Sequence, residues 1–443
     1  MKKVLSTLLL SGVAAVATFA QDPLISTKYT ADPAPYVHGD TIYLYTTHDE
    51  DDAEGFKMFD WLCYTSTDMV NWQDHGAVAS LDDFKYYDGK NGAWAEQVIE
   101  RNGKWYMYCP IHGHGIGVLV SDSPYGPFKD PLGKPLVWNP ANWFDIDPTV
   151  WIDDDGQAYL YWGNPHLYGV RLNEDMISTR GYVIQYPKIQ DYQEGPWFYA
   201  RKDDSGKKHY YLAFASTCCP EGIGYAMSDK PDGPWEYKGH IMDHTPRTRG
   251  NHPGIIEYKG KWYGFGLNYD LKNLTIKEHK ERRSVGAFPM TYNPDGTIVE
   301  SPYFKDVKIE QIENFNPYRR VEAETMAWGF GLKTVKRGIE DIYVTNVDNG
   351  EYILLKGVDF GKAAARTYTV SAASTVGGTI EIRIDSQNGK KIGTVAIKPT
   401  GGEENFKNFT TKLSSVSGVH DLYFVFKGVK GKQLFNLDWW EMK

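Results

Sequence analysis

The chain has 443 residues, too many for one ordinary hydrophobic core, so two domains are expected. Its 48 basic residues are outweighed by 57 acidic ones, giving a net charge of −9, which argues against a nucleic-acid partner because little here would neutralise a polyphosphate. Four cysteines (Cys63, Cys109, Cys218 and Cys219) are too few for a disulfide scaffold, and neither a Cys-x-x-Cys pair nor zinc-type spacing occurs, so the core must hold the fold.

Residues 1–20 read as an export signal. Lys2 and Lys3 precede the apolar stretches Leu8 to Leu10 and Val13 to Val16, and Thr18-Phe19-Ala20 offers a small-residue cleavage site. The apolar run is shorter than a membrane span and no other segment approaches that length. The mature chain is therefore expected to begin near Gln21 and to work in the periplasm or outside the cell, as a monomer. Cys218 and Cys219 are adjacent, a spacing at which a disulfide is strained, and read as free thiols.

From residue 21 to about 310 a unit recurs: a turn containing glycine, then alternating aromatic and aliphatic residues. The copies begin at Gly39, Gly103, Gly156, Gly206 and Gly260, as in Asn102-Gly103-Lys104-Trp105-Tyr106-Met107-Tyr108. A turn followed by period-two alternation is a hairpin entering a strand. A second element also repeats: Gly117 to Phe128 is echoed by Gly224 to Trp235, and more loosely by Tyr64 to Trp72. Each unit supplies about four short strands, one blade of a propeller. The expected fold is all-β: a five-bladed β-propeller over residues 21–310.

The innermost strand of each blade lines a propeller's axis, so residues just before each repeat glycine converge. Asp32, Glu96, Asp147, Glu194 and His252 occupy that place. Five ionisable groups near one axis cost desolvation and mutual repulsion unless function or a bound ion compensates. Asp32 and Asp147 each precede a proline, which is expected to hold the acid extended. Glycoside hydrolysis needs one protonated acid and one carboxylate across the scissile bond, and clustered like charges can separate the two pKa values. The 31 Tyr and 14 Trp lean the same way, since aromatic faces stack on sugar rings, although they also fill β-rich cores.

Ala31-Asp32-Pro33-Ala34-Pro35, Asp145-Ile146-Asp147-Pro148-Thr149-Val150 and Glu194-Gly195-Pro196-Trp197 together resemble family 43 glycoside hydrolases over about residues 22–310. The resemblance implies an inverting mechanism that needs no cofactor. Asp32 would be the general base, Glu194 the general acid, and Asp147 the residue that raises the pKa of Glu194 and orients it. Inversion requires the two carboxyl groups about 6.5–9.5 Å apart, retention about 5 Å. His252 matches a family histidine near the axis that faces a hydrated ion, with a satisfied core histidine as the competing reading. Arg283 resembles a substrate-contacting arginine, against a surface cation beside Lys280 and Arg282. Trp94 reads as a wall of the sugar pocket or as core packing. Glu96 reads as a binder of substrate hydroxyls or as a structural hydrogen-bonding group. His112 and His114 lack partners at zinc spacing. An Asn-Asp-Pro-Asn-Gly start, expected of related fructoside enzymes, is replaced here by Ala31-Asp32-Pro33-Ala34-Pro35.

After Gly296 the repeat stops, and residues 311–320 read as a polar linker. From Val321 to Lys443 strands alternate again with Gly/Asn/Asp turns, as in Glu351 to Leu355 and His420 to Phe426, the pattern of a β-sandwich (jelly roll). Val321-Glu322-Ala323-Glu324, Gly378 to Arg383 and Asn436-Leu437-Asp438-Trp439-Trp440 resemble carbohydrate-binding module family 6. This resemblance implies a structural calcium held by Glu322, Glu324 and Asp438, and a sugar cleft that includes Asn436. Where such a cleft carries two clamping aromatics, this chain offers Asn346, then Glu403 and Glu404 with Phe406 beyond, so the cleft's ability to bind sugar is in doubt.

The function expected is exo-acting α-L-arabinofuranosidase on arabinoxylan or arabinan side chains. The alternatives are β-D-xylosidase, endo-arabinanase action, and a non-catalytic sugar-binding propeller. The partner in each case is a plant cell-wall pentose polymer or oligosaccharide.

Overall fold

The computed structural model describes residues 23–443 other than 218, 219, 340, 363 and 364. The export signal, the start at Gln21 and the Cys218–Cys219 pair lie outside the described residues. Cys63 and Cys109 are free and buried.

Five antiparallel sheets follow one another along the first part of the chain. Their first strands are Tyr29–His38, Gln97–Arg101, Thr149–Ile152, Tyr192–Lys202 and Gly254–Tyr258, and within each sheet neighbours in sequence are neighbours in space. The repeat glycines stand between the first and second strands, each with positive φ from 60° to 84°, the left-handed conformation a tight turn requires there. Each first strand touches the first strand of the next sheet, and the fifth touches the first, closing a ring. Backbone hydrogen bonds from Leu24 to Val285 and from Thr30 to Arg283 tie the start of the chain to the last sheet. Between sheets pack large buried rings such as Trp61, Trp105, Phe128 and Tyr211, the alternating apolar residues read from the repeats. This is a β-propeller with its first strands around the axis. No described helix is long and apolar enough to cross a membrane.

The remaining strands form a sandwich. One sheet contains Lys333–Arg337, Asp341–Thr345, Asn436–Met442, Thr367–Ser374 and Gly402–Lys412; the other contains Tyr352–Asp359, Val419–Lys427, Gly378–Ile384 and Lys391–Ile397. Tyr368, Phe424, Trp440, Ile380 and Ile382 fill the space between them.

The segment read as a polar linker is packed. Phe315 is buried and bridges to Val358, the Ile312 N–H donates to the Asp68 carbonyl at 3.1 Å, and Gln311 Nε2 reaches both Asp68 and the Lys356 carbonyl at 3.0 Å. Apolar residues within that polar stretch anchor it. The short strand Thr325–Met326 also pairs with Trp72 and Gln73, so the second domain extends the first sheet by one strand.

A largely buried ion pair of the first domain takes a hydrogen bond across the same boundary. Lys28 Nζ donates to Asp74 Oδ2 at 2.7 Å and Thr334 Oγ1 donates to the same oxygen at 2.6 Å. Burial alone would raise the Asp74 pKa, but Lys28, Thr334 and the Gly76 N–H together hold it below the usual carboxylate range. A depressed pKa contributes stability above the unfolded value near pH 4, and that stability is lost as pH falls through the folded value. Lys28→Met leaves Asp74 buried and uncompensated, which is expected to cost about 3 kcal/mol at pH 7. In thermal unfolding the gap from wild type should narrow as pH drops below about 4.

Candidate active site

Each acid of the repeat register sits at or just before the start of a first strand, and around Asp32 and Glu194 the ladder is irregular. Pairing shifts register between Ala31 and Ala34 around Asp32, and twice around Glu194. Asp32 and Asp147 do not have the extended backbone expected of residues before proline. Their φ values are 50° and 56°, in the left-handed region, and Gly195, before Pro196, has φ 57°. Proline disfavours the right-handed helical conformation of its predecessor and leaves the left-handed alternative open, which Asp tolerates better than most residues; at Asp32 it coincides with a bulge. The register residues lie 7 to 12 positions before their repeat glycines; four of the five line one space on the axis, and Glu194 borders the next.

Two connected spaces result. One, of about 200 Å³, is lined by Asp32, Asp147, Glu194, His252 and Arg283, with Phe56, Trp94 and Trp143 around them. Beside it on the axis lies a space of about 20 Å³, lined by Asp32, Glu96, Asp147, His252 and the prolines that follow the register residues. A larger depression of about 510 Å³, at the outer strands of the fourth sheet, is lined by charges paired with each other, Lys207 with Asp229 and Lys238 with Glu236.

His252 bridges the two flanking acids: Nδ1 is 3.5 Å from Asp32 Oδ1, and Nε2 is 3.5 Å from Glu194 Oε1. The two nitrogens of one imidazole are about 2 Å apart, so these oxygens are separated by no more than about 9 Å, below the upper limit for an inverting pair. Asp147, Glu194 and His252 each offer a donor atom within 4.8 Å of the others. Asp147 Oδ2 accepts the Gly195 N–H at 3.1 Å, tying it to the residue after Glu194. Burial pushes Asp147 up to about 7; the Glu194 and Asp32 charges add to this, while His252 and the Gly195 N–H oppose it. For His252, burial alone would lower the pKa, but Asp32, Asp147 and Glu194 raise it to about 10.

Gly195 is required by this packing, because a Cβ there would meet the His252 ring at 2.8 Å. Gly195→Ala adds left-handed strain to that clash. It is expected to displace His252 and lower kcat about 100-fold, with a reduced Tm measured on the same preparation.

The structure separates the remaining sequence expectations. Arg283 is no surface cation. It is buried, its Nη1 donates to Asp32 at 3.2 Å, and its N, Nε and Nη2 donate to Asp49 at 2.8 to 3.0 Å. Trp94 walls the larger space and stacks on His112, ring centroids 4.1 Å apart. Glu96 does not line that space, so it does not meet substrate hydroxyls there. It faces the axial space, buried, with neither carboxyl oxygen hydrogen-bonded, and burial together with the Asp32 charge raises its pKa.

For an axial ion the fit is divided. Glu96 offers an orphaned carboxyl beside room for about one water-sized guest. His252, expected to face the ion through water, also lines that space but is already flanked by Asp32 and Glu194, each at 3.5 Å.

In the sandwich, Glu322, Glu324 and Asp438 do not come together as one cluster of donors within 4.8 Å among the described residues. Arg320 takes Glu322 at 2.8 and 3.0 Å, and Ser371 donates to Asp438 at 3.1 Å. Glu324 fits a cation better: it is buried, its Oε2 has no partner, and burial plus the Glu322, Asp74 and Asp438 charges raise its pKa. Asn436 is buried, donating to the Glu403 carbonyl at 2.7 Å and accepting from Gln433 at 2.7 Å, so its amide is already satisfied. Asn346 donates to the Gly331 carbonyl, and Phe406 packs on Tyr343.

Several site residues escaped the sequence reading. Phe56 and Trp143 form the exposed rim, Thr47 donates to Asp32 at 2.9 Å, Asn164 donates to Glu194, and Glu221 is buried behind Gly250. Asn164 precedes a proline, as Asp32 and Asp147 do, and that shared pattern was the signal available.

The comparisons agree with this architecture. Residues 20–298 match the model of glycosyl hydrolases family 43, and residues 322–443 that of carbohydrate binding module family 6. An arabinoxylan arabinofuranohydrolase of Paenibacillus polymyxa is 33% identical over 95% of this chain and 74% of its own. One from Bacillus subtilis is 32% identical over 95% and 92%. A crystal structure of a Bacillus subtilis family 43 arabinoxylan arabinofuranohydrolase in complex with cellotetraose superposes with a TM-score of 0.84 at 30% identity, covering 96% of this chain and 97% of that one. The propeller, its carboxylate-lined axial cavity and the matching family model lead to one conclusion: this chain belongs to family 43 of the glycosyl hydrolases.

Proposed function

We propose that the enzyme removes α-L-arabinofuranosyl side chains from arabinoxylan with inversion, using Asp32 as general base, Glu194 as general acid and Asp147 as the residue that modulates and orients Glu194. The observation that carries the mechanism is that Asp32 and Glu194 border the same 200 Å³ cavity and meet through opposite nitrogens of His252. The arabinofuranohydrolase relatives that span nearly all of this chain support the choice of sugar.

The sugar ring enters the cavity against Trp94, with Phe56 and Trp143 at the rim for the polymer. Glu194 donates its proton to the glycosidic oxygen as the bond to the anomeric carbon breaks. Asp32 takes a proton from water as that water attacks the opposite face. Arg283, anchored on Asp49, and Thr47 fix the Asp32 carboxylate. Carboxylates and water supply all the chemistry. A calcium ion, if bound in the second domain, would be met by Glu324, whose Oε2 has no partner, and would offset the negative charge around it.

A small cavity favours exo action on one residue. Xylosidase activity is the second reading, favoured by a xylosidase/arabinosidase of Bacteroides ovatus that is 30% identical over 62% of this chain. Proton NMR of the first-formed sugar tests inversion: the opposite anomer is expected, and a retained anomer removes the mechanism. Steady-state rates on aryl α-L-arabinofuranoside and aryl β-D-xyloside decide the sugar, with faster xyloside turnover overturning the arabinose assignment.

A further inference from the structure

We propose that Glu221 is a positioning residue for this reaction, a buried carboxylate that pins the segment carrying His252 and helps keep the proton on Glu194. The inference rests on Glu194 being the general acid, and the experiment below separates the two.

Glu221 immediately precedes the strand Gly222–Ser228 of the fourth sheet and is 2% exposed. It does not line the 200 Å³ cavity, so any effect on the sugar passes through other groups. Its Oε2 accepts the Asn251 N–H at 2.7 Å, and its backbone carbonyl accepts Thr248 Oγ1 at 2.5 Å. Thr248 and Asn251 are themselves fully buried, so the stretch leading to His252 is held to Glu221 at two points.

Gly250 stands between Glu221 and the cavity. A Cβ on Gly250 would lie 3.6 Å from Glu221 Oε2 and 3.8 Å from Glu194 Oε1. The two carboxyl groups are therefore no more than about 7.4 Å apart, closer than one Debye length at physiological salt. The charged groups facing Glu221 are Glu194 and His252. Glu194 in turn faces His252 and Asp147, with Asp32 beyond His252 and the buried Tyr192 beside it. Burial, with the Glu194 charge, pushes Glu221 up to about 7, while His252 and the backbone N–H groups oppose this. Above that pH Glu221 carries a negative charge, and Glu194 must give up its proton against it. The Asn251 N–H could be satisfied by an amide as well as by a carboxylate, so only the charge distinguishes Glu221 from Gln.

The test is the pH dependence of kcat/KM on an arabinofuranoside with a poor leaving group, for wild type, Glu221→Gln and Glu221→Asp. The alkaline limb of Glu221→Gln should move down by about one pH unit, while Glu221→Asp, which keeps the charge, should stay near wild type. With a dinitrophenyl leaving group, which needs no proton, the difference should vanish. A Glu221→Gln profile that superimposes on wild type, or equal shifts in both variants, overturns the proposal. If Glu221→Gln does not fold, carbon-13 titration of the wild-type carboxyl groups answers the question. Glu194 should show an inflection coinciding with that of Glu221, and an uncoupled single-site titration overturns the proposal. Glu194→Gln is the control. If it still cleaves the poor substrate, the acid assignment falls. If it is inactive while Glu221→Gln is unshifted, only the role of Glu221 falls.

Discussion

Glu194→Gln is expected to lower kcat on arabinoxylan by about 10³- to 10⁴-fold while KM changes only a fewfold. An amide keeps the shape of the side chain and its contact with Asn164, but it has no proton to give the departing xylan oxygen. The loss should depend on the leaving group. A dinitrophenolate departs without protonation, so on the dinitrophenyl arabinofuranoside the variant should retain activity within about tenfold of wild type. Reducing-sugar release and dinitrophenolate release, measured side by side, give the two numbers. Equal loss on both substrates would remove Glu194 from the role of acid.

Asp32→Asn is expected to be as severe on either substrate, about 10⁴-fold, because every turnover needs an activated water whatever the leaving group. Asp32 is also where the Arg283–Asp49 pair meets the cavity, so the neutral amide leaves the Arg283 Nη1 facing an uncharged group. The fold should survive, since Asp49 still accepts three hydrogen bonds from Arg283. Azide, an anion that needs no base, should restore part of the turnover and yield the glycosyl azide of inverted configuration. Azide attack inverts the anomeric carbon whether the missing carboxylate was a base or a nucleophile, so the anomer first released by the wild type separates inversion from retention.

Some of this centre was legible along the chain and some was not. Asp32, Asp147, Glu194 and His252 were readable because a propeller repeats its geometry: the offset from each turn glycine places them near one axis. The backbone of Asp32 and Asp147 was misread, since the restriction before proline excludes the right-handed helix but does not choose between extended and left-handed. Glu96 shared the register yet faces the axis rather than the sugar space, a difference of side-chain direction that register alone does not specify. Arg283 and Asp49 lie 234 positions apart, and their pairing exists only because the last sheet closes on the first. Glu221 has no counterpart in the repeat register and comes to Glu194 through the return of the 248–252 segment across its strand.

Legible along the chain alone were the all-β class, the number of repeat units, the change of pattern after Gly296 and the five polar groups aimed at the axis. Each of these is written in local spacing: turn glycines, period-two alternation and fixed offsets. Only the tertiary structure decided which acid faces sugar and which faces the axis, what neutralises each charge, and how firmly the second domain is joined to the first sheet. Those outcomes depend on distance through space between residues remote in the chain, where desolvation and opposing charge set the balance, and ring closure is what brings such residues together.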